Sequence, residues 1–235
     1  MNLLRLELKK ANIRPYCFSV MVIFICLLGL MYIFAWVPHL DSGDKNAAVL
    51  FSSYQGIMAI GGTIALMAFS ALSSAMGFRY VIKEYSGVNA LLLFCYPVNR
   101  KSVLWAKIQL LLIFTSIALF ITLFGGFSIF AATGGIFSLV DSSLQVTDFV
   151  IGFRNTLTFI MLANGITLCS VRIGFIKKSN SITVISAILG SMVLANVTAQ
   201  INTNFLAVLS MAAAIFLIGL GLMFPLSRKI AVMEV

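Results

Sequence analysis

One long polar-studded stretch interrupts an otherwise apolar chain: Phe78 to Lys107, FRYVIKEYSGVNALLLFCYPVNRKSVLWAK. Phe78, Val81, Ile82, Tyr85 and Val88 recur in it at helical spacing, with Arg79, Lys83, Glu84, Ser86 and Asn89 between them. The pattern predicts an amphipathic helix too polar to cross a bilayer. It should end near Cys95, because Pro97 disfavours the α region at Tyr96, and Asn99, Arg100, Lys101 and Ser102 then form a short basic turn. The chemistry on offer is recognition: a helix at a membrane surface, flanked by cations, suits a protein partner or anionic headgroups.

Three polar residues fall within apolar runs and are candidates for a substrate path: Arg154, Asn164 and Asn196. An arginine at the bilayer centre costs about 2.5–3.5 kcal/mol on insertion scales, but one turn from an interface it can snorkel, or pair with Asp148, or line a cavity. The two asparagines suit hydrogen bonds between helices, worth about 0.6 kcal/mol each, as well as contact with a substrate.

Catalytic constellations are absent. The sequence has no GxxxxGK[ST] loop to cradle a nucleoside triphosphate, no HExxH, and a single histidine, His39. No carboxylate falls inside an expected span, where a proton- or sodium-coupled carrier would need one. The expectation is therefore a chain that is not an enzyme, and any transport by it draws energy from another subunit. Cys17, Cys26, Cys95 and Cys169 lie in or beside apolar segments without metal-ligand spacing, so no metal or disulfide framework is expected.

The elements that must position these residues follow from composition. At 61% hydrophobic and 10% charged, against about 25% charged in soluble domains, the 235 residues read as an integral membrane protein. Since a span needs about 20 apolar residues, roughly six fit, in a single all-α transmembrane domain. The expected spans are 17–37, 47–76, 103–124, 149–171, 181–199 and 205–225, with the amphipathic helix at about 78–94. Residues 2–14 place Leu4, Leu8 and Ala11 opposite Arg5, Lys9 and Asn12, which predicts an interfacial helix ending at Pro15. The first apolar run is too long for a signal-peptide core. Gly61, Ala65, Ala68 and Ala75 form a stripe for close helix packing in the second span. Lys107, a turn and a half inside the third, can snorkel to the basic side. From Gly125 to Asp148, glycines followed by acids read as a loop, with room for a short helix on the membrane. Gln200, Asn202 and Asn204 mark the hairpin between the last two spans.

The net charge of +9 does not suggest nucleic acid, since the cations flank apolar runs and form no continuous patch. With six spans and a cytoplasmic N-terminus, fourteen of the sixteen lysines and arginines lie on cytoplasmic flanks. Only Lys45 and Arg154 fall on the other side, where Asp41, Asp44, Asp141 and Asp148 also lie. The positive-inside rule thus predicts an N-in, C-in topology with the 78–94 helix in the cytoplasm.

In this arrangement the run Lys83-Glu84-Tyr85-Ser86-Gly87, then Leu91-Leu92, then Pro97-Val98-Asn99-Arg100, then Lys107 resembles the region between the second and third spans of type-2 ABC transporter permeases. The resemblance covers the whole topology, but its specific part is about 25 residues. It implies that the 78–94 segment is a coupling helix docked on a separate ATP-binding subunit. Phe78, Arg79, Tyr80, Val81, Lys83, Glu84, Tyr85, Ser86 and Gly87 would form that contact, with aromatic anchors inside a polar rim. It further implies that ATP and magnesium are bound by the partner, that this chain binds no cofactor, and that two permease subunits pair as a homodimer or heterodimer. Its small size and bare outer loops are similar to the permeases of bacteriocin-immunity and antimicrobial-peptide exporters in bacterial cell membranes. Twenty Phe and eleven Met suit a path for amphipathic peptides or drugs, and suit lipid contact equally. The alternative is an anchoring or signalling subunit that recruits a cytoplasmic protein through the same helix without transport.

Overall fold

The computed structural model describes residues 12–40, 51, 53–85, 100–137 and 145–231, and the described elements are helices and short turns. They are α1 Arg14–Leu40, α2 Tyr54–Gly77, α3 Arg100–Phe120, α4 Gly126–Phe137, α5 Val146–Lys177, α6 Asn180–Ala199 and α7 Phe205–Ala231. Pro15 sits in the first turn of α1, where its missing N–H costs no helical bond. The interfacial helix expected at 2–14 lies outside the described residues except for its last three.

Among the described residues six helices are long and apolar enough to cross a membrane, two of them by joining shorter elements: Arg14–Val37, Tyr54–Tyr85, Lys101–Gly134, Val146–Lys177, Asn180–Ala199 and Phe205–Arg228. The second does not stop where α2 ends. It continues through a π turn at Phe78–Ile82 and a 3-10 turn at Lys83–Tyr85, so the 78–85 part of the expected amphipathic helix is a direct extension of the span. The remainder of that helix, from Ser86 onward, lies outside the described residues.

The third span also departs from expectation. Gly125 to Phe137 is not a loop: α3 passes through a π turn at Ile121–Gly125 into α4. Apolar packing overrides the glycines here, since Phe127, Phe130 and Ala131 are buried. Ser128 and Thr133 also direct their hydroxyls to the carbonyls of Phe124 and Ile129, four residues back, at 2.7 and 2.9 Å.

α2 and α5 form the centre of the bundle. In their most apolar windows 61% and 67% of residues are buried, against 17% in α1 and α7, whose outer faces are open. Small residues set how closely they meet: Gly62 faces the ring of Phe159, Ser73 shares a hydrogen bond with Thr167, and Gly77 lies against Val171. α7 crosses α5 where Gly165 meets the backbone of Ile215 and Phe216, and Gly219 meets Leu168. The basic ends of α1, the second span, α3, α5 and α7 lie together with the start of α6, joined by contacts such as Tyr16 with Tyr80, Tyr85 with Phe175, Trp105 with Phe224, Lys107 with Glu84 and Gly174 with Thr183.

Candidate functional site

The end of α2 carries the sequence motif, and the structure divides its residues by role. Within the π turn and the 3-10 turn, Val81, Ile82 and Tyr85 point inward: they are buried among Leu104, Ile108, Val171 and Phe175. Val81 and Tyr85, expected to face a partner, are therefore part of the chain's own core, because three helices converge on that face. Arg79 and Lys83 are exposed, and Phe78, Tyr80 and Glu84 are half-buried. Tyr80 is tied back to the start of the chain, its hydroxyl donating to the Asn12 carbonyl at 2.7 Å. Ser86 and Gly87 lie outside the described residues.

Lys107 does not snorkel to the surface. Its ammonium lies 2.6 Å from Glu84 Oε2, with its side chain 2% exposed and that of Glu84 22% exposed. An ammonium placed this deep needs a counter-charge, and Glu84 supplies one. The pair joins the last turn of the second span to α3, while the Tyr85 ring lies tilted against Phe175 of α5, centroids 6.4 Å apart. The end of the second span is thereby fastened to both α3 and α5. π turns depart from the regular ladder and cluster at functional sites, and this one lies directly beneath the exposed cations.

The three candidate path residues are not gathered into one site. Arg154 and Asn164 are ten residues apart on α5, about 15 Å along the axis, and Asn196 is exposed on α6. The Arg154 guanidinium lies 3.8 Å from the centroid of the Phe205 ring, a cation–π contact between α5 and α7. Among the described residues it makes no ion pair with Asp148, whose oxygens are otherwise engaged. Asn164 donates to Ser116 Oγ at 2.8 Å, joining α5 to α3, so it acts as interhelical glue.

Sequence reasoning missed a polar network at the opposite end of the bundle. Asp148 Oδ1 accepts from Gln55 Nε2 at 2.8 Å, while Oδ2 accepts from the Gln145 backbone N–H at 3.1 Å and caps α5. Asn202, in the hairpin before α7, donates to the Gln55 carbonyl at 2.9 Å and accepts from Asn155 at 2.9 Å. These bonds fasten the start of α2, the start of α5 and the α6–α7 hairpin together. The available signal was a set of amides near apolar run ends, which carries no information on pairing. Among the described residues no group of three or more His, Cys, Asp or Glu could hold a metal ion.

No family model matches the chain, and no solved structure matches it. Over 110 residues, 47% of this chain, it is 29% identical to "Uncharacterized protein YcbO" of Bacillus subtilis (strain 168). The matched stretch covers 46% of that protein, so the similarity spans about half of each chain.

Proposed function

We propose that the chain is the permease subunit of an ATP-driven exporter of the type-2 ABC class, working with a separate ATP-binding subunit. In this reading the basic end is cytoplasmic, both termini are inside, and two permease subunits pair in a bacterial plasma membrane to expel an amphipathic peptide or drug. Arg79 and Lys83 meet the ATP-binding partner, with Phe78 and Tyr80 beside them. The observation that carries the reading is the bracing of this end by the Lys107–Glu84 pair. A coupling element must be exposed to its partner yet rigidly joined to the spans, and the end of α2 meets both conditions.

The test is to isolate the full chain from its native membrane in mild detergent and identify what copurifies. A P-loop ATPase, lost when Arg79 and Lys83 are both changed to Glu while membrane insertion is unchanged, supports the reading. Absence of any ATP-binding protein overturns it. If the ATPase binds but its rate does not respond to any transported peptide, the chain is an anchor and not an exporter subunit.

A further inference from the structure

α5 and α6 leave a groove of about 400 Å³ between them, walled by Ile166, Ser170 and Ile173 on one side and by Ser186, Gly190 and Val193 on the other. Its mouth is open: Ile173 is 43% exposed and Val193 75%. Both serine hydroxyls are turned to their own helices, Ser170 to the Ile166 carbonyl at 2.7 Å and Ser186 to the Thr183 carbonyl at 2.9 Å. To an occupant the walls are therefore apolar. They run over eight residues of each helix, a rise of about 10 Å, and a Cβ placed on Gly190 would stand 3.4 Å from Ile166 Cγ2, so the two helices approach closely across the slot. A narrow apolar slot with an open mouth suits a hydrocarbon chain.

What lies at its end selects the headgroup. The stripe Ile166, Ser170, Ile173 reaches Lys177 after one more turn, and Lys178, at φ 51°, turns the chain into α6. Both lysines are exposed, and neither has an ion-pair partner among the described residues. On α6 the wall continues to Ile182, 37% exposed. A slot between two membrane helices that ends in a pair of cations combines the two features an anionic lipid requires.

We propose that the α5–α6 groove binds one acyl chain of an anionic phospholipid, with the lipid's phosphate held by Lys177 and Lys178. The inference is independent of the transport reading, since it requires only that the basic end lies at a membrane interface.

The full chain in nanodiscs is irradiated with tail-diazirine phosphatidylglycerol or, separately, tail-diazirine phosphatidylcholine, and the adducts are mapped. Phosphatidylglycerol should label segments 166–173 and 186–194 in preference to other exposed helix faces. Changing Lys177 or Lys178 to Gln should lower the preference for phosphatidylglycerol by about fivefold per lysine. Gly190→Phe should suppress labelling from both lipids by filling the slot. Val193→Trp, at a position exposed enough to leave folding intact, should do the same at its mouth. Adducts spread over all lipid-facing helices, or a phosphatidylglycerol preference unchanged in the lysine variants, would overturn the proposal. So would efficient disulfide formation between copies carrying Val193→Cys in a background without the native cysteines, which would place a second copy in the groove.

Discussion

Lys107 and Glu84 face each other at 2.6 Å with the ammonium almost wholly enclosed and the carboxylate keeping an edge to solvent. The asymmetry makes the two substitutions unequal. Glu84→Gln leaves a buried cation short of its counter-charge and should destabilise the bundle by up to about 3–5 kcal/mol. Lys107→Met leaves a carboxylate that can turn toward water, and should cost less. The double variant should recover much of the loss, and a double-mutant cycle on unfolding in detergent measures the coupling. If Glu84→Gln is as stable as the parent, the pair does not brace the end of α2.

The crossing of α5 and α7 gives a second expectation. A Cβ on Gly165 would stand 2.9 Å from the Phe216 backbone nitrogen and 3.0 Å from the Ile215 carbonyl carbon, and neither can move without shifting α7. Gly165→Ala should therefore cost about 1–3 kcal/mol. At Gly221, in α7, a Cβ would meet nothing within 4 Å. Gly221→Ala should be neutral or stabilise by up to about 1 kcal/mol through helix propensity. Thermal melts of the two variants in the same detergent separate the effects, and equal shifts would mean that α7 does not pack this closely.

The hydropathy pattern locates the six long apolar helices because length and composition alone decide them. It does not say which face of a helix meets which neighbour. The small-residue stripe expected in the second span, Gly61, Ala65, Ala68 and Ala75, has only Gly61 and Ala65 buried, whereas the approach to α5 runs through Gly62, Ser73 and Gly77. The same limit explains α4. Gly134 reads as a turn residue, yet its role is to leave room for Tyr54, whose hydroxyl would be 3.1 Å from an added Cβ. Nor can spacing reveal that Lys107 meets a glutamate 23 residues earlier, because burial of the ammonium depends on how α3 packs against the end of α2. The candidate site was legible as a cluster of polar residues; its division into an exposed pair of cations and a buried brace was not.

At the opposite end of the bundle, Asn155 is fully buried and its amide donates to Asn202 Oδ1. Asn202→Ala removes that acceptor and also the donor to the Gln55 carbonyl. A cost of about 1–3 kcal/mol is expected from the unpaired Asn155 amide. Hydrogen exchange should rise first in the 200–204 hairpin and at the start of α2, before any change at the basic end. Uniform loss of protection along all helices would instead mean that the network is part of the global fold and not a local clasp.

Orientation can be decided with two exposed positions at opposite ends of the bundle, Lys178 and Thr203. The basic end holds Arg79, Lys83, Lys101, Lys107, Arg172, Lys177, Lys178 and Arg228, whereas the described cation toward the other end is Arg154. By the positive-inside rule, an imbalance of this size predicts that the basic end faces the cytoplasm. In a background with Cys17, Cys26, Cys95 and Cys169 replaced, Thr203→Cys should react with a membrane-impermeant maleimide in intact cells. Lys178→Cys should react only in inverted vesicles. The reverse pattern would place the Arg79 and Lys83 surface outside the cell, where no ATP-binding subunit could reach it, and the transport reading would fail with it.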